Sequence, residues 1–167
     1  MTKQELIQQL ITAYSEAYVK LGHSSLMGKI VALLLTAPEP LSLDQISEEL
    51  KMSKGPVSQI SRKLKDHELI EKVWIPGERK DYYRAAPDIF GQAFENYAAS
   101  MKKNMEMGEQ FSQLASELSV QDEQAEHIKN RMDEMRKFYE MMQEFNKDFL
   151  SAWKQDVKPK LKETPQV

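Results

Sequence analysis

Residues 41–84, LSLDQISEELKMSKGPVSQISRKLKDHELIEKVWIPGERKDYYR, hold two short amphipathic segments, a turn between them, and two β-prone runs joined by a basic tip. Ser42 stands three residues before Gln45, the S-x-x-Q spacing of a capping box, so a helix is expected from Leu43. Leu43, Ile46 and Leu50 recur at i, i+3 and i+7 and give that helix one apolar stripe. Ser53 is the expected cap of the second helix. Pro56 is tolerated in its first turn because the N–H it lacks has no intrahelical partner there. At about 100° per residue, Val57, Ile60, Ser61 and Leu64 crowd one side of it. The other side carries Gly55, Ser58, Gln59 and Arg62, flanked by Lys54 and Lys63. Such side chains on a short helix can reach base edges in a major groove, and Gly55 lets backbone approach a phosphate. Any solvated helix also presents a polar face, so this helix alone leaves both readings open.

The next residues separate them. Ile70 to Ile75 is rich in Ile, Val and Trp, Tyr82 to Ala85 is aromatic and small, and Pro76-Gly77-Glu78-Arg79-Lys80-Asp81 lies between. That order predicts a hairpin with a loop longer than a tight turn. Arg79 and Lys80 at its tip suit a narrow, electronegative minor groove. Glu78 and Asp81 are placed to brace Arg79 by ion pairing, or simply to neutralise an exposed loop. The expected fold is mainly α with a small β-hairpin wing: a winged helix-turn-helix plus long dimerisation helices. Its expected duplex-DNA contacts are Ser53, Lys54, Gly55, Ser58, Gln59, Arg62, Lys63, Arg79 and Lys80.

The segment from Met52-Ser53-Lys54-Gly55-Pro56-Val57-Ser58 through His67-Glu68-Leu69-Ile70-Glu71-Lys72-Val73-Trp74, and above all Pro76-Gly77-Glu78-Arg79-Lys80-Asp81-Tyr82-Tyr83, resembles the GbsR-type branch of the MarR-like transcriptional regulators. The resemblance extends more loosely over nearly the whole chain, since that family flanks its winged helix with a leading helix and long trailing ones. It implies that Arg79 is the wing arginine. The commoner MarR wing has Asp-x-Arg, for which this chain offers Glu78-Arg79. It also implies a quaternary ammonium osmolyte, such as choline or glycine betaine, as inducer.

At 167 residues, with 41% hydrophobic and 29% charged residues, the chain has the length and balance of one soluble globular or helix-rich domain. It contains no apolar run of the roughly 20 residues that span a bilayer and no leader peptide, so a cytoplasmic protein is expected. Zero cysteines exclude disulfide and thiol chemistry. The formal net charge of −3 is unevenly spread. Residues 51–84 hold nine Lys or Arg against five Asp or Glu, or +4, while residues 1–50 sum to −3 and residues 85–167 to −4. Positive charge therefore sits where the groove-reading elements were placed, and DNA binding should weaken steeply with salt.

Four regions are expected: 1–24, an amino-terminal helix contributing to a dimer interface; 25–86, the winged helix-turn-helix; 87–157, long dimerisation helices; and 158–167, a flexible tail. Leu6, Ile7, Leu10, Ile11, Tyr14, Ala17, Tyr18 and Leu21 form a helical stripe ended by Gly22. Met27, Ile30, Val31 and Leu34 continue as a short buried helix up to Ala37-Pro38-Glu39-Pro40. Asp88 is a reasonable cap for a long helix, and Ser119 to Asp122 reads as a break with a fresh cap. Beyond it Ile128, Met132, Met135, Tyr139, Met142, Phe145, Phe149 and Ala152 step by three and four, close to a heptad rhythm. Such stripes usually find a partner chain. The expected dimer residues are Leu10, Tyr14, Met132, Met135, Tyr139, Met142, Phe145 and Phe149, and a two-fold dimer implies an inverted-repeat target.

No phosphate loop, G-x-S-x-G or H-E-x-x-H occurs, and none of His23, His67 and His127 has a second ligand at i+3 or i+4 on its own helix, so neither enzyme nor metal nor cofactor is expected. A trimethylammonium group is held by aromatic faces, and Tyr14, Tyr18, Trp74, Phe94 and Tyr97 are candidates to line such a cage. Helical spacing favours the alternative, in which these rings and the ten methionines fill core and interface. The leading function is a sequence-specific regulator, most simply a homodimeric repressor. The alternatives are a winged-helix module for protein assembly without DNA binding, or a coiled-coil adaptor.

Overall fold

Thr2 and Glu5 form a reciprocal capping box at the start of α1 (Lys3–Lys20): Thr2 Oγ1 accepts from the Glu5 N–H at 3.1 Å, and the Glu5 carboxylate accepts from the Thr2 N–H at 2.7 Å. Helix α2 (Ser25–Thr36) follows, capped by Ser24, and then strand β1 (Leu41–Ser42), helices α3 (Leu43–Glu49) and α4 (Lys54–Asp66), and strands β2 (Ile70–Val73) and β3 (Tyr82–Ala85). Two long helices, α5 (Ile89–Leu118) and α6 (Glu123–Ala152), lead through a π-helical turn, Trp153–Val157, into α7 (Lys158–Glu163). The structure, a computed structural model, describes residues 1–118 and 122–163. The chain divides into two compact units between Gln92 and Ala93, a boundary that falls inside α5.

In the first unit, α1, α3 and α4 end alike. The residue after the C-cap is left-handed, and two backbone bonds close the turn as a Schellman motif. Gly22 takes that position after α1 with φ +81°. Lys51 (φ +52°) and Glu68 (φ +57°) take it after α3 and α4, with Met52 N–H donating to Ser47 O and Leu69 N–H to Leu64 O. Lys51 thus makes the turn of the helix-turn-helix. Gly28 brings α2 onto α1, because a Cβ there would lie 2.4 Å from the Tyr14 carbonyl oxygen. Ile30, Ile46, Val57 and Leu64 are fully buried, and Ile11, Leu69, Ile70, Tyr83 and Ile89 complete the core around them.

Three antiparallel strands run in the order β1-β3-β2, with Ile70 opposite Ala85 and Glu71 opposite Arg84 in the hairpin. Two local expectations are corrected, and one strand is added. The strand expected from Ile70 to Ile75 stops at Val73, since Trp74 and Ile75 already lead into the loop. Strand β1 escaped the sequence reading because it has two residues, paired as Leu41 to Tyr83 and Ser42 to Tyr82. Ser53 does stand at the N-cap of α4, but its side chain makes no capping bond. Ser42 does cap α3 with Gln45 as expected.

In the second unit α5 and α6 run antiparallel. Asn146 Nδ2 donates to Met101 Sδ at 3.4 Å, Ser112 Oγ donates to Asp133 Oδ1 at 2.7 Å, and a Cβ on Gly108 would lie 3.0 Å from the Met132 carbonyl oxygen. Asp122 caps α6 by accepting from the N–H groups of Gln124 and Ala125. The break expected from Ser119 falls, for residues 119–121, outside the described residues. Helical backbone continues to Glu163, past the expected start of the tail at Lys158. Pro159 is the second residue of α7, directly after the π-helical turn; residues 164–167 are outside the described residues.

This architecture, mainly helical with a small antiparallel sheet, is a winged helix-turn-helix followed by long helices.

Candidate nucleic-acid interface

Helix α4 sits on the core through Val57, Ser61 and Leu64, which turns its polar side outward. Ser53, Lys54, Gly55, Gln59, Arg62 and Lys63 are exposed and Ser58 is half-buried. Nothing lies within 4 Å of where a Gly55 Cβ would be, so the backbone there is open to an incoming group. The loop after β2 turns at Ile75-Pro76-Gly77-Glu78, where Gly77 has φ +86° and the Glu78 N–H donates to Ile75 O at 3.1 Å. Proline second and a left-handed glycine third are the requirements of a type II turn. Beyond it Arg79 and Lys80 are exposed.

Glu78 and Asp81 do not brace Arg79. Asp81 instead binds Lys72 Nζ at 2.7 Å, and among the described residues no carboxylate pairs with Arg79. Residue 81 lies beside the strand end, where the neighbouring strand offers Lys72. The arginine is thereby left to solvent. Arg84 and Glu71, cross-strand neighbours, form a further ion pair.

Helix and wing meet at a residue that the sequence reading passed over. Asp44, in the first turn of α3, accepts from Lys54 Nζ through Oδ1 at 2.7 Å and from Lys80 Nζ through Oδ2 at 2.9 Å. The lysine hydrogen bonds hold the Asp44 carboxyl below its ordinary pKa, and Asp44 raises that of Lys80. One carboxylate therefore gathers the start of the polar helix and the wing. Its only signal in the sequence is an acidic residue in a first turn, favoured there by the helix dipole; its partners lie ten and thirty-six positions away. Tyr83, buried under the hairpin, has its hydroxyl pKa raised by that burial, with Lys72 and Arg62 acting against the rise. Arg62 thus lies within electrostatic reach of the wing strand.

The aromatic candidates fall into groups within their own units. Tyr14 and Tyr18 stack on α1 with centroids 6.5 Å apart, and His23 lies 5.8 Å from Tyr18. Burial, then the neighbouring Tyr14, raises the Tyr18 hydroxyl pKa. Trp74 is 77% exposed at the wing base. In the second unit Phe94 lies 6.3 Å from Tyr97 and 4.9 Å from Phe149. Two open grooves on the first unit, of about 420 and 630 Å³, are lined by other residues. Of the expected dimer residues, Leu10, Tyr14, Met132, Met135, Tyr139 and Met142 are half-buried within the single chain, while Phe145 and Phe149 are exposed. Among the described residues no three His, Asp or Glu side chains cluster as a metal site, and no helix is long and apolar enough to cross a membrane.

An outward polar helix, a basic wing beside it and a core that fixes both define a winged helix-turn-helix protein. The chain is 26% identical, over an alignment of 167 residues, to the HTH-type transcriptional repressor OpcR of Bacillus subtilis (strain 168), covering 93% of this chain and 90% of that one. A solved structure described as that of a transcriptional regulator has the same fold, with a TM-score of 0.74 over 89% of this chain and 98% of the other, at 22% identity. No family model matches the sequence. The relatives are transcriptional regulators, a non-enzymatic class.

Proposed function

We propose that this protein is a sequence-specific, double-stranded-DNA-binding transcriptional repressor of the GbsR-type branch, acting as a cytoplasmic homodimer on an inverted-repeat operator. The observation that carries this reading is the meeting of Lys54 and Lys80 at Asp44, which registers the exposed face of α4 and the wing on one surface. Similarity to the transcriptional repressor OpcR supports repression. Ser58, Gln59 and Arg62 read base edges in the major groove, Ser53, Lys54, Gly55 and Lys63 contact the backbone, and Arg79 enters the minor groove with Lys80 beside it. Unit Met1–Gln92 carries recognition, and α5 and α6 carry association. A quaternary ammonium inducer would be held by aromatic faces, for which the Tyr14–Tyr18 pair and the Phe94, Tyr97 and Phe149 group are the available sets.

A gel-shift titration on the region upstream of the protein's own gene, at two salt concentrations and with or without choline, tests the reading. The expected result is a shift at low salt that weakens steeply at high salt and is relieved by choline. Arg62→Ala should relax base preference, costing about 1–3 kcal/mol on the preferred duplex and little on others. Absence of any shift at low salt would leave a protein-assembly module as the better account.

A further inference from the structure

Asp44 is an odd residue to find on a surface that meets phosphate. Its side chain is 41% exposed, so its ion pairs add little to stability and are screened by salt. It also places a negative charge between two lysines of the binding face. A carboxylate and a DNA phosphodiester, however, present two anionic oxygens of similar bite. Lys54 on one oxygen and Lys80 on the other is therefore the arrangement that a backbone phosphate would receive from the same two ammonium groups.

Resting on the DNA-binding reading above, we infer that Asp44 is a specificity-determining residue: an intramolecular stand-in for a backbone phosphate that keeps Lys54 and Lys80 from binding arbitrary duplex. A lysine already paired with Asp44 must give up one anion to accept another, and the carboxylate it leaves recruits a cation that offsets the counterion released from the phosphate. Its contact with a non-cognate phosphate is then nearly neutral in free energy. Only a duplex whose bases also satisfy Ser58, Gln59 and Arg62 repays the exchange. Asp44 thus lowers affinity everywhere and lowers it most where sequence contacts are missing.

The test is Asp44→Asn, which keeps the shape and removes the charge, with the full chain titrated onto a random-sequence duplex at several salt concentrations. Each newly engaged phosphate adds about 0.9 to the slope of log K against log salt. The variant should therefore bind random duplex at least several-fold more tightly at low salt, with a slope steeper by about 1 to 2. Lys54→Gln and Lys80→Gln added to Asp44→Asn should return the slope to the wild-type value, which a purely structural role for Asp44 would not do. Equal slope and affinity for wild type and Asp44→Asn, or weaker binding by a variant with an unchanged circular dichroism spectrum, would overturn the inference while leaving DNA binding intact. If neither protein binds any duplex at low salt, the DNA-binding reading falls, and this inference with it.

Discussion

Ser61 turns its hydroxyl from α4 into the core, and among the described residues that oxygen finds no hydrogen-bond partner. A buried hydroxyl without a partner loses its water bonds and receives nothing in return. Ser61→Ala should stabilise the fold by about 1 kcal/mol in urea denaturation, with helix propensity adding in the same direction; a fall in stability would mean that the hydroxyl is bonded in solution. Asp44 gives the opposite case, a half-exposed polar group that is doubly paired. Its carboxyl titrates below the ordinary range of about 3.9 because Lys54 and Lys80 donate to it. A carboxyl whose folded pKa is lowered contributes stability above its unfolded pKa and loses that contribution as pH falls through the folded value. Lys54 and Lys80, with Glu78 near Lys80, are the charged groups around it. The difference in melting temperature between wild type and Asp44→Asn should accordingly be small and constant from pH 8 to pH 5, then vanish in stronger acid. A difference that grows on acidification would contradict the assignment.

At the scale of elements, two glycines in helices have opposite fates. Gly28→Ala sets a methyl against the backbone of α1, 2.4 Å from Tyr14 O, which cannot swing aside as a side-chain tip would. It should cost about 1–3 kcal/mol. Gly55 opens onto empty space, so Gly55→Ala should gain a few tenths to about 1 kcal/mol from helix propensity while weakening the backbone approach to DNA proposed for it. Chemical denaturation of both variants checks the contrast. Much at this level was legible in the chain: Ser42 with Gln45, the stripe of Val57 and Leu64, and the Pro76-Gly77 turn each follow from neighbours within four residues. Strand β1 was not, because a two-residue strand exists only by virtue of Tyr82 and Tyr83, forty residues away. Nor was Asp44, whose partners are tertiary, nor the idle side chain of Ser53. The stripe on α6 was legible as apolar, but periodicity does not say which chain will cover it. Helix α6 carries two stripes, one residue apart.

Those two stripes bear on the proposed assembly of the whole molecule. On α5 the seam residues Gly108, Ser112 and Ala115 are buried, and the residues just before them, Met107, Phe111 and Leu114, are exposed apolar groups. On α6 Tyr139, Met142 and Asn146 lie on the half-buried to buried side, and again the residues just before them, Phe138, Met141 and Phe145, are exposed. One residue back along an α-helix is a rotation of about 100° about its own axis. Because the two helices run antiparallel and face each other, equal backward rotations carry both exposed stripes to the same side of the pair. The result is an apolar face shared by both helices, with Phe145, 69% exposed, toward one end of it. An exposed apolar face of this kind marks an interaction surface, and a second copy is the occupant that the proposed two-fold regulator would place there. Phe145→Glu combined with Phe111→Glu should therefore convert a dimer to a monomer in light scattering, with the circular dichroism of α5 and α6 retained because the seam is untouched. The monomer should bind a single half-site about as well as wild type does, while losing the added affinity of the second half-site on an inverted repeat. A double variant that stays dimeric would place the association elsewhere, with the exposed Leu6 and Val19 of α1 the next surface to charge.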